Sequence, residues 1–178
     1  MTQSRAVDLT ADAARAAKPN EPTPREVVVA YADAKGAGDI DAALAVCHPT
    51  AVFETVAFQA VSSRRAETRV QASNFLRAFP DYHVEFGVLE QVDDLVLSSG
   101  TITGTMRGSL AGVEPTGRRF ALPFACHWWI RDGLIVREQF FFDFNQMCEQ
   151  LGLDVRDAAR RFRHWRTHLM GSHEADET

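Results

Sequence analysis

The 178-residue sequence lacks a basic excess, a long apolar run and any paired-cysteine pattern, and each absence removes a class of function. Lys and Arg total 19 against 24 Asp and Glu, a formal charge of -5. A mildly acidic chain has no electrostatic footprint for DNA, RNA or anionic lipid, so no nucleic-acid partner is expected. The longest apolar stretches, such as the one around Phe140 to Phe144, are far too short to span a bilayer, and no membrane partner is expected. Cys47, Cys126 and Cys148 form no Cys-x-x-Cys, and each lies inside an apolar segment. They read as buried free thiols in a reducing compartment. Residues 1–24 are Ala-rich, charged and broken by Pro19, Pro22 and Pro24, with no apolar signal-peptide core. A cytoplasmic protein is expected.

What is present is the composition of a soluble globular chain, 46% hydrophobic and 24% charged, at a length that fits one domain with a sizeable core. Residues 1–24 read as a flexible leader and 171–178 as an acidic, frayed tail. Proline in a first turn places a helix from Pro24, with Val27, Val28, Tyr31 and Ala34 on its apolar face. Asp39 then caps a short helix carrying Ile40, Ala43, Leu44 and Cys47, which His48-Pro49 ends. Thr50 to Phe58 is β-rich. A third helix, with Ala72, Phe75, Leu76 and Phe79 on one side, stops at Pro80.

From Tyr82 the texture changes to strands, over His83–Gln91, Leu95–Arg107, Arg118–Arg131 and Leu134–Phe142. Asp132-Gly133 between two apolar runs is a hairpin signal. Asp143 begins a capping box with Gln146, ahead of a short helix with Phe144, Met147, Cys148 and Leu151 as its stripe and Gly152 at its end. Asp154 opens an Arg-rich last helix to about Leu169, with Val155, Ala159, Phe162 and Leu169 buried. Helices followed by a run of antiparallel strands predict an α+β fold: a cone-shaped barrel of helices on a strongly curved antiparallel or mixed sheet, plus an extra C-terminal helix. The space between helices and sheet is a small-molecule site.

Six segments occur in an order that carries further meaning: Tyr31-Ala-Asp-Ala-Lys-Gly-Ala-Gly-Asp39-Ile-Asp, Phe79-Pro-Asp81, Gly104-Thr-Met-Arg-Gly108, Pro115-Thr-Gly-Arg-Arg-Phe120, Asp132-Gly133 and Asp143-Phe-Asn-Gln-Met-Cys-Glu-Gln-Leu-Gly152. The set resembles the SnoaL-like polyketide cyclases of the nuclear transport factor 2 and ketosteroid isomerase superfamily, over residues 25–152. Residues 153–170 then form an amphipathic helix beyond the cone domain. The resemblance implies a homodimer with no metal or organic cofactor. It also implies an acid/base aspartate three residues before the strand-ending Asp143, where this chain has Phe140. The family's partner histidine falls on Cys126, with His127 one step off, and its polar residue after His-Pro falls on Phe53. The family's Gly-Thr-His-Arg-Gly histidine is Met106 here, and the ketosteroid isomerase aspartate falls on Thr55. Tyr31 matches that group's oxyanion-binding tyrosine.

Chemistry is therefore sought in other residues. Alternation puts Glu138, Phe140 and Phe142 on one face of the last strand and Arg137, Gln139 and Phe141 on the other. A carboxylate among phenylalanines is desolvated, and its pKa rises toward neutrality, where it serves as acid or base. Glu138 is thus the first catalytic candidate and Tyr31 the second, as donor to a carbonyl or oxyanion. His127 is the third; alternation turns it away from the cone unless a bulge reverses it. Phe53, Thr55, Cys126, Trp128, Phe140 and Phe142 are the expected substrate walls, suited to a flat, greasy ligand.

His164 and His168 have a zinc-compatible spacing, but the run between them has no Glu and no third ligand stands near, so no metal site is expected. Asp143 reads as a helix cap. Asp39, Asp81 and the Arg118-Arg119 pair read as turn and surface residues. The expected function is a cofactor-independent cyclase or isomerase acting on a hydrophobic polyketide- or terpenoid-like molecule. A non-catalytic binder and an epoxide hydrolase are the alternatives.

Overall fold

A computed structural model describes residues 21–171, with side chains through Arg163. The leader up to residue 20, the tail from 172, Leu169 and the His164/His168 pair lie outside the residues or side chains described. Among the described residues the order is α1 (Pro24–Gly36), α2 (Ile40–Ala45), β1 (Cys47–Thr55), β2 (Ala60–Ser62), α3 (Arg65–Ala78), β3 (His83–Val92), β4 (Leu95–Thr105), β5 (Arg119–Arg131), β6 (Leu134–Phe142), α4 (Phe144–Leu151) and α5 (Val155–Gly171). None of these helices is long and apolar enough to cross a membrane.

The strands form one mixed sheet in the order β2-β1-β6-β5-β4-β3, in which β1 runs parallel to β6 and the other neighbours are antiparallel. The α+β architecture is as expected, but the sheet is open and not a barrel. Its edges are the three-residue β2 and the long β3, which among the described residues pairs only with β4. Helices cover one face instead of a closing ladder: α1 packs on β3, β4 and β6, α3 on β1 and β2, and α4 on β5. Register shifts at Cys47/Val52, Phe86/Val88 and Trp129/Ile130 add the local bend that a bulge brings.

Local sequence explains most boundaries. Thr23 and Glu26 form a full capping box at the start of α1, with Glu26 accepting from the Thr23 N–H at 2.7 Å. Asp39 caps α2 as expected, but the chain enters β1 at Cys47 and runs as strand through His48-Pro49. The strand expected to reach Phe58 ends at Thr55; Val56–Phe58 is a 3₁₀ turn closed by Gln59 in the left-handed region. Phe58 of that turn lines the space between the sheet and the helices. The short β2 gave no periodic signal in the sequence. On α5, Ala158 rather than Ala159 is buried, and Val155 is only half-buried.

The hairpin at Asp132-Gly133 and the left-handed Gly152 at the end of α4 form as read. Asp143 Oδ1 accepts from the N–H groups of Asn145 and Gln146 at 2.8 and 3.0 Å. Asp143→Ala removes this cap and is expected to lower stability by about 1 kcal/mol, read from urea unfolding. An unchanged midpoint would show that α4 is held by packing alone.

Candidate active site

One apolar core runs from α1 (Val27, Val28, Tyr31) across the concave face of the sheet to Met147 and Leu151 of α4. It is not solid. Between sheet and helices lies a cavity of about 80 Å³, several times the ~10–15 Å³ that one water needs. Phe53 and Thr55 of β1, Phe58, Ala72 and Phe75 of α3, Phe140 and Phe142 of β6, and Phe162 of α5 wall it. Phe58 stacks on Phe162 with centroids 4.7 Å apart and meets Phe142 edge-on at 5.2 Å.

Glu138 opens into this cavity while being only 6% exposed. Strand register puts it there. Across three strands it faces Phe53 on one side and Trp128 on the other, so its carboxyl stands on the helix-covered face among rings. Among the described residues the thiol of Cys126 is its one hydrogen-bond donor, at a long 3.9 Å. Burial raises the Glu138 pKa above the ordinary glutamate value; the charge of Lys35 and the Cys126 contact oppose the rise. Burial and the Glu138 charge in turn hold Cys126 as a thiol, and burial pushes Cys47 up to about 12. Neither cysteine is a nucleophile at neutral pH.

Tyr31 lines the same cavity, stacked on Phe53 at 5.8 Å and edge-on to Trp128 at 5.5 Å. Burial, then Glu138, raises its pKa, so it stays a protonated donor. Tyr82, at the turn into β3, lines the cavity too and is raised for the same reasons. Lys35 completes the polar group: it lines the cavity one helical turn after Tyr31, its ammonium 5.3–5.7 Å from the ring centres of Tyr82, Tyr31 and Phe75. The sequence reading missed Lys35 and Tyr82. The i, i+4 spacing from Tyr31 was the available signal for Lys35; for Tyr82 none existed short of the packing.

The structure brings Glu138, Tyr31, Phe53, Thr55, Phe140 and Phe142 to one cavity. Cys126 and Trp128 share that sheet face but do not border the space, a correction to their expected place in its wall. Cys126 is fully buried behind Glu138, and the Trp128 indole is turned to donate to Ser98 Oγ at 2.9 Å. A buried indole N–H needs that acceptor. His127 lies on the opposite face, packed on Trp129 and Phe141, because the one bulge of that hairpin comes two residues later and leaves the alternation at His127 intact. It shares no contact with the cavity. The positions that the resemblance assigned to an Asp and a His, Phe140 and Cys126, are directly paired across β5 and β6. Among the described residues no cluster of His, Cys, Asp and Glu is arranged to hold a metal ion.

Residues 25–151 match the sequence family described as SnoaL-like polyketide cyclase. No curated protein matches the chain. Among solved structures it is similar to IdmH of Streptomyces antibioticus, a candidate polyketide cyclase, with 26% identity and a TM-score of 0.63 over 74% of this chain and 100% of that one. A candidate SnoaL-like polyketide cyclase from Jannaschia sp. CCS1 gives 19% identity and a TM-score of 0.69, over 79% and 99%. A protein of ketosteroid isomerase-like fold from Catenulispora acidiphila gives 19% and 0.66, over 74% and 95%. The last two likenesses speak for the fold.

Proposed function

Because this chain belongs to the SnoaL-like polyketide cyclase family, we propose that it is a cofactor-independent cyclase or isomerase whose acid/base residue is Glu138. The observation that carries this reading is a buried carboxyl opening into an aromatic cavity with a thiol as its hydrogen-bond partner. The substrate is a hydrophobic small molecule of polyketide or terpenoid type, held by ring faces and by few polar contacts. In an aldol closure the Glu138 carboxylate takes a proton from the carbon beside a ketone. The C–H electron pair moves into the enolate, whose oxygen the Tyr31 hydroxyl holds. The enolate carbon bonds a second carbonyl carbon of the same molecule, and Glu138 returns the proton to the new alkoxide. An epoxide-opening closure uses the same carboxyl as the acid.

Turnover of candidate ring-closing substrates by the wild type and by Glu138→Gln tests the reading. Loss of turnover with binding retained supports it. Phe140 in the place of the family aspartate favours the second reading, a binding protein without catalysis, and binding without turnover in the wild type would establish that one. An epoxide hydrolase needs a second carboxylate beside the first, and among the described residues Glu138 is the one carboxyl that lines the cavity.

A homodimer and a cytoplasmic location belong to the same proposal. The outer sheet face presents Val88, 49% exposed, and Leu97, 37% exposed, alongside His127, Trp129 and Phe141. Such a face is suited to a second copy. Sedimentation is expected to give a dimer, and Leu97→Glu a monomer; a monomeric wild type would remove this part of the proposal. The free cysteines suit a reducing compartment.

A further inference from the structure

Among the described residues, the lining of the cavity contains one cation, Lys35, and one carboxyl, Glu138. They are not an ion pair: among the described residues no carboxylate lies within 4.0 Å of the Lys35 ammonium and no acceptor bonds it. Three ring faces hold it instead, those of Tyr82 at 5.3 Å and of Tyr31 and Phe75 at 5.7 Å. Phe75 and Tyr82 are themselves locked edge-to-face at 5.0 Å, so the cage is rigid. Rings attract an ammonium through their quadrupole but leave its three N–H donors without acceptors. The neighbouring arginines of α3 are already engaged, Arg65 with the carbonyls of Leu44 and Cys47 and Arg69 with Asp41. A cation aimed into an apolar cavity, with donors to spare, is a site for an anionic oxygen.

We propose that Lys35 is the oxyanion-binding residue of this cavity, taking the enolate or phenolate oxygen of an aromatic or polycyclic ligand between itself and Glu138. The inference rests on the reading of the cavity as a substrate site and names its substrate class: a ketone or phenol whose oxygen gains negative charge as its proton leaves. With a ketone, Glu138 accepts the proton of the neighbouring carbon, the C–H pair becomes the enolate π bond, and the carbonyl π pair moves onto the oxygen facing Lys35. With a phenol, the hydroxyl proton leaves and the O–H pair stays on that oxygen. Tyr31 and Tyr82 line the same cavity, and their hydroxyls are further donors to it.

The test uses 4-nitrophenol, coloured only as the phenolate, titrated with protein at a pH below its solution pKa. The readout contains no turnover, so it stands apart from the role of Glu138 as a base. The wild type is expected to bind it enriched in phenolate by roughly tenfold over buffer, the scale of one charge-assisted hydrogen bond. Glu138→Gln keeps or increases that enrichment, Lys35→Met binds the probe neutral, and Lys35→Arg restores the colour. Phenolate bound equally by Lys35→Met and wild type overturns the assignment. So does neutral or absent binding in the wild type. If Glu138→Gln meanwhile abolishes turnover, Lys35 falls and Glu138 stands. Circular dichroism melts of each variant confirm that a lost signal is not a lost fold.

Discussion

Replacing Glu138 with glutamine is expected to lower turnover by about 10²–10⁴-fold, the usual contribution of a positioned acid or base. Glutamine keeps the shape and the cavity, so ligand binding is retained. The same variant carries a second signature. The folded chain holds Glu138 with a pKa above its ordinary value of 4.5, mainly because burial disfavours the charged form. Between that ordinary value and the raised one, the folded state binds a proton that the unfolded state has released. Stability then falls with rising pH through this window, and the contribution is fully present only below the unfolded value. Glutamine does not titrate. The melting-temperature difference, variant minus wild type, is expected to grow from its acid-side value as pH rises from about 4.5 toward neutrality. Parallel pH profiles would show that Glu138 is not held in the desolvated state that the acid/base role requires.

Gly100→Ala is expected to be the most damaging single-methyl change in the sheet, lowering stability by about 3 kcal/mol. A Cβ on Gly100 would come within 2.0 Å of the Glu85 carbonyl oxygen and 2.9 Å of the Gly87 nitrogen. Those are backbone atoms of the bulged segment of β3, where pairing with β4 slips between Phe86 and Val88. They cannot swing aside as a side chain does, so the ladder must open or the bulge must move. A moved bulge would shift β3 by one residue and turn Val84 away from the core. Gly117→Ala is the contrast: its φ of +69 is left-handed, but nothing lies within 4 Å of the added carbon. That change is expected to cost about 1 kcal/mol. Chemical denaturation of the two variants in parallel checks the difference. Equal losses would mean that the bulge yields freely.

Much of the fold was legible because its signals are local. Pro24 marks a helix start through its fixed φ, and Asp39, Asp143 and Gly152 mark helix ends through hydrogen bonds made within one turn. Alternation along β6 placed Glu138, Phe140 and Phe142 on one face, since side chains on a strand take opposite sides by geometry alone. It likewise turned His127 outward. Depth was not legible. Cys126 and Trp128 lie on the correct face yet behind the cavity wall, because how far a side chain stands from the space depends on what α1 and α3 place before it.

The sequence by itself determined the α+β class, most helix ends near a cap or turn, and which residues share a face with Glu138 on β6 and with Tyr31 on α1. Those properties follow from periodicities of 2 and 3.6 residues and from caps that act over one turn. Only the tertiary structure decided that the sheet stays open and that the cone is hollow. It alone placed Lys35 and Tyr82, 47 positions apart, beside the buried carboxyl. No local rule couples residues so distant in the chain; their meeting is set by how α1 packs over β3, β4 and β6, where burial of Val27 and Val28 fixes the helix and so aims Lys35.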